Sequence, residues 1–130
     1  MNGCKLVRWP GSLGWVMHFD TTMTDAEFAR AFEAGQIPNN EFHHVDHLRL
    51  AWAYLVESPS VDAATDRMRV SIQRFASSVG KPEKYSDPMT IFWMHEVAAT
   101  RASMPVGAGF EEMLLAYPEM RDKNRYRRSS

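Results

Sequence analysis

The densest chemistry in this sequence lies in Phe42-His43-His44-Val45-Asp46-His47, which holds three of the five histidines. Neutral imidazoles serve as transition-metal ligands, as acid–base groups and as hydrogen-bonding partners for bound molecules. On a helix, His44 and His47 are three residues apart and His43 and His47 four apart, so either pair can aim two rings at one point. His44 falls on the line of Leu48, Ala51 and Leu55, and His47 on the line of Ala51 and Tyr54. Both therefore border an apolar stripe, with His43 toward its edge. Asp46 and Arg49 project toward the solvent side, where they can pair with each other, or Asp46 can orient His43.

A third group must come from another element, and Trp93-Met94-His95-Glu96-Val97 offers one. Glu96 falls on the stripe made by Phe92, Trp93, Val97 and Thr100. A lone carboxylate costs several kcal/mol to bury, so it needs a partner there. His44, His47 and Glu96 would form a two-histidine, one-carboxylate set that leaves positions open on a divalent transition metal, with His95 as the competing ligand. Without a metal, the same groups can bind a small molecule, Tyr54 or Tyr85 adding a lining hydroxyl. They can also form a simple buried pair, in which Glu96 would raise the pKa of its histidine above about 6.5. Whether such a site is catalytic stays open at this point.

Chemistry elsewhere is thin. There is no HExxH motif, EF-hand loop, phosphate-binding glycine loop or nucleophile elbow. Cys4 has no evident base beside it.

The histidines need helices to hold them, and the punctuation of the chain supplies these. Thr24-Asp25-Ala26-Glu27 is a capping box, Phe28 and Phe32 share a face, and Gly35 is placed to end that helix. Spacings of three and four through Val45, Leu48, Trp52 and Leu55 predict a helix from about Glu41 to Glu57. Ser58-Pro59 and Asp87-Pro88 each pair an N-cap with a first-turn proline, opening two further helices. A shorter helix carries Phe110, Met113, Leu114 and Tyr117 before Pro118. The reading is an all-α, single-domain bundle of about five helices over residues 21–130. Residues 1–20 form a short N-terminal extension, docked through Trp9 and Trp15.

Composition sets the outer limits. A chain of 130 residues at 45% hydrophobic and 24% charged affords one sizeable core and excludes wholesale disorder. No apolar run approaches the roughly 18 residues of a membrane helix. The N-terminus lacks the apolar region of a secretory signal and there is one cysteine, so a cytoplasmic protein is expected. Net charge is −1. The basic run Arg121 to Arg128 carries +4 of it, which leaves −5 elsewhere and disfavours nucleic acid as a partner.

The segment from Phe42 to Leu55 resembles a family of small, uncharacterised bacterial helical proteins whose shared pattern is F-x-H-x-x-H-[LV]-x-x-A-W, preceded by a capped, Phe-rich helix. The resemblance covers about residues 24–128 and puts His44 and His47 at the family's two histidines. A further family histidine, in a K-Y-H-x-T-x-T-x-x-W segment, is replaced here by Ser86 in Lys84-Tyr85-Ser86-Asp87-Pro88-Met89-Thr90-Ile91-Phe92-Trp93. Sequences of this kind also occur among mobile gene-cassette products. The resemblance implies the helical fold and the histidine pair, and no established activity. Two functions are therefore carried forward. One is a small-molecule or metal site between the second and fourth helices. The other is an interaction or oligomerisation module, conceivably a homodimer, whose histidines are structural.

Overall fold

The computed structural model describes the backbone of Arg8–Trp9, Gly14–Trp15 and residues 23–129, and side chains over residues 23–127. Strands β1 (Arg8–Trp9) and β2 (Gly14–Trp15) pair antiparallel, Arg8 opposite Trp15. The expected docking of residues 1–20 through their tryptophans lies outside the described residues. The remainder is all-α: α1 (Asp25–Glu33), α2 (His44–Glu57), α3 (Val61–Ser78), α4 (Asp87–Ala102), α5 (Phe110–Ala116) and α6 (Arg125–Ser129). Short 3₁₀ turns at Asn39–Glu41, Pro82–Lys84 and Pro118–Arg121 link them. Among the described residues no helix is long and apolar enough to cross a membrane.

The nine-residue α1 is too short to stand alone in water, so docking must hold it. Its capping box forms as expected: Thr24 Oγ1 accepts from the Glu27 amide, and Glu27 accepts from the Thr24 amide. Phe28 and Phe32 then seat on the core, each apolar side chain of this size contributing roughly 1.5–3 kcal/mol on burial.

Helix α2 departs from the single-stripe expectation. It packs against α1, α3 and α4, so every residue from Leu48 to Leu55 is buried. Arg49, expected toward solvent, is only 6% exposed. Its Nε donates to Asp25 at 2.8 Å and its Nη2 to the Met23 carbonyl at 2.6 Å, and its guanidinium lies over the Phe28 ring. A buried guanidinium is tolerable because these partners replace water. Arg49 thus ties α1 to α2, and Asp46, deprived of it, caps α2 by accepting from the His43 amide.

The N-terminus of α2 begins at His44, after a 3₁₀ turn, rather than at Glu41. Two caps also differ from expectation. Ser60, not Ser58, opens α3, its Oγ accepting from the Ala63 amide, because Ser58 is taken up in closing α2, its amide bonding to the Tyr54 carbonyl. Ser86, not Asp87, caps α4, which frees the Asp87 carboxylate for other partners. At the far end of α3, Gly80 adopts φ +77°, a conformation only glycine enters cheaply, and the Lys81 amide reaches back to the Ala76 carbonyl. That closure fixes the start of the Lys81–Tyr85 turn.

Candidate functional site

The structure separates the residues that spacing had grouped. His44 leaves the first turn of α2 toward α4 and the Pro118–Arg121 turn. Its Nε2 lies 2.9 Å from the Met120 carbonyl, and since a carbonyl only accepts, Nε2 carries the proton. The ring meets Trp93 edge-on at 4.6 Å. Burial holds the His44 pKa below its ordinary value, and the Met120 carbonyl only partly opposes this.

His47, one turn on, faces another neighbourhood. The side chain is half-buried and its ring lies 6.0 Å from that of Phe42. Among the described residues its Nε2 is shut off from water and has no hydrogen-bond partner. Burial, with a smaller push from His44, drives its pKa down to about 4, so the ring is neutral at pH 7.

Glu96 does not join either histidine. The buried face of α4 runs through Thr90, Trp93, Met94 and Val97, which places Glu96 on its flank beside the C-terminal segment, where Arg125 takes its carboxylate. His95 is exposed. The expected set of His44, His47 and Glu96, or His95 in its place, is therefore not assembled. Among the described residues no group of three His, Cys, Asp or Glu side chains is placed to hold a metal ion. The raised histidine pKa expected from a carboxylate partner is likewise reversed: burial outweighs the Met120 carbonyl and Asp122 at His44, and at His47 it is joined by the push of His44.

Tyr54 belongs to a different constellation. Its hydroxyl donates to Glu33 Oε2 at 2.6 Å and meets Ser71 Oγ at 2.7 Å, while the Arg67 guanidinium covers its ring. Arg30 and Arg67 both pair with Glu33 and Glu57, cross-linking α1, α2 and α3. Every polar group there is answered from within the protein, so this face reads as structural.

Tyr85 does share a cavity with His47. Both line an open cavity of about 360 Å³ bordered by the Asn39–Phe42 segment, the first turn of α2, the second half of α3, the Pro82–Lys84 turn and the start of α4. Phe42, Ile72, Phe75 and Met89 give it apolar walls, and Thr90, Lys81 and Lys84 add polar groups. Phe42 and Phe75 pack with Phe32 at ring separations of 4.6 to 5.2 Å, which makes the aromatic wall rigid. The Tyr85 hydroxyl donates to Asp87, which also binds Arg69 Nε at 2.8 Å. Burial and then Asp87 hold the Tyr85 pKa up, so it stays a neutral donor.

Spacing alone missed Lys81, Lys84 and Phe42 as cavity residues. The signal present was Lys81-Pro82-Glu83-Lys84-Tyr85, two cations and a phenol in one short interhelical turn. A larger cavity of about 490 Å³, between Trp52, Leu55, Arg101 and Pro105, contains none of the expected site residues. Comparison with protein-family models, with curated proteins and with solved structures finds nothing that matches this chain.

Proposed function

We propose that this domain binds a small organic molecule in the cavity beside His47. What supports the reading most is the make-up of the cavity: apolar walls of Phe42, Ile72, Phe75 and Met89 beside the polar groups of His47, Tyr85, Lys81 and Lys84. The volume, about 360 Å³, is at the small end of the roughly 300–1,000 Å³ usual for ligand sites. Phe42, Ile72, Phe75 and Met89 would cover the apolar body and His47 would fix its orientation.

The role of His47 is recognition rather than proton abstraction. A pKa near 4 makes it a weak base at neutral pH, far from the match that general-base catalysis favours. A neutral imidazole can accept from a hydroxyl or donate to a carbonyl wherever the ring faces the cavity.

Native mass spectrometry tests this reading. Protein purified without denaturation is expected to carry an extra small-molecule mass that denaturation and refolding remove and that His47→Phe fails to retain. The bare polypeptide mass in both preparations, with His47 ring resonances unmoved across a fragment library, would overturn it.

A further inference from the structure

We infer that the occupant of the His47 cavity is an amphipathic monoanion, an apolar body carrying one carboxylate. This rests on the binding role proposed above and names the ligand class. The argument is one of charge. Lys81 and Lys84 line the cavity, and no aspartate or glutamate lines it. Asp87, next to the lining residues, is already held by Tyr85 and Arg69. Among the described residues Arg30, Arg49, Arg67, Arg69 and Arg125 each have a carboxylate partner, while Arg74 and Arg101, which lie outside the cavity, do not. Among the described residues neither Lys81 nor Lys84 has one, although the chain as a whole is slightly acidic.

The backbone that carries the two lysines is fixed. Gly80 turns the chain, the Lys81 amide bonds to the Ala76 carbonyl at 2.8 Å, and the Lys84 amide bonds to the Lys81 carbonyl at 2.9 Å. Both lysines are exposed while the walls beside them are apolar, so cations stand next to a hydrophobic volume. A neutral hydrocarbon would leave the lysines without a counter-charge, and a cation would be repelled by them. A carboxylate with a short acyl or aryl body satisfies both surfaces, and a hydroxyl or carbonyl on that body would meet His47.

Calorimetric titration of the full chain with octanoate, octanol and octylamine reads this directly. Octanoate is expected to bind about tenfold tighter than octanol, and octylamine weakest, with the octanoate advantage shrinking several-fold as salt screens the lysines. Lys81→Met with Lys84→Met is expected to erase that advantage while octanol binding persists. Should the double variant fail to fold, the salt dependence on the parent protein decides alone. Equal affinity for octanoate and octanol at low salt, with both lost in His47→Phe, overturns the anionic class and keeps the cavity as a binding site. No binding of any of the three overturns the binding role and the ligand class together.

Discussion

His44 and His47 sit one helical turn apart on α2, and their surroundings have opposite character. Around His44 the ring nitrogen donates to Met120, the ring edge packs on Trp93, and the charge of Asp122 acts on the ring. Around His47 a ring nitrogen is left over, two lysines lack counter-charges among the described residues, and the space between is open. The first region is closed by its own chain and the second is not. Chemical type is the same in both. What separates the two rings is whether the fold answers their hydrogen bonds.

Acid should break the comparison most sharply. The folded His47 pKa of about 4 lies below the unfolded value of about 6.5, so the unfolded chain binds the proton first as pH falls. Stability is then full above about pH 6.5 and is lost between about 6.5 and 4, by roughly 3 kcal/mol from this group alone. His44, also depressed, adds a smaller loss of the same sign. Urea unfolding midpoints measured from pH 7.5 to 4 check this. His47→Phe should remove most of the acid limb and leave stability at pH 7 unchanged or higher by about 1 kcal/mol, since it deletes an unpaired buried nitrogen. An acid limb of undiminished height in that variant would show that His47 is not the buried group.

The second effect is smaller and opposite in site. His44→Ala should cost about 2 kcal/mol at pH 7, through the lost Met120 bond and the gap left beside Trp93. The same denaturation experiment measures it, and a cost no greater than that of His47→Phe would erase the distinction between the two rings.

Smallest of all is Glu96→Gln. Its pair with Arg125 is about 30% exposed on each side, so solvent screening leaves less than about 1 kcal/mol. The variant should also leave the acid limb of His47 unchanged. A displaced limb, seen in the same midpoint-against-pH series, would show a coupling between Glu96 and His47 that the geometry does not contain.

The helices were legible because their signals are local. The capping box at Thr24, the proline pairs and the terminal glycines act within a few residues, and the structure places helices where they point. The histidine pair was legible as chemistry, since spacing on one helix needs no tertiary knowledge. Its division was not. The direction of His44 depends on Met120, which is 76 residues away, and the fate of Glu96 depends on Arg125. Arg49 was misplaced for a related reason: Asp46 and Arg49, three apart, suggest a wet face, but α2 is enclosed by three helices and Asp25 comes in from α1 to meet the charge. The cavity gathers residues from several separate segments, and periodicity within any one of them carries no trace of the others.

The edge contact between His44 and Trp93 has an optical consequence. An excited indole readily passes an electron to a protonated imidazole at contact distance and hardly at all to a neutral one. Trp93 should therefore dim as His44 takes up its proton, whereas His47 neighbours a phenylalanine and stays dark to this readout. Steady-state emission against pH, with His44→Gln as the silent control, would trace one histidine alone. An acid dimming that survives in the control would assign the signal elsewhere. The unlabelled protein thus has its own lamp on the closed side of α2, so that changes on the open side can be read against a separately monitored reference.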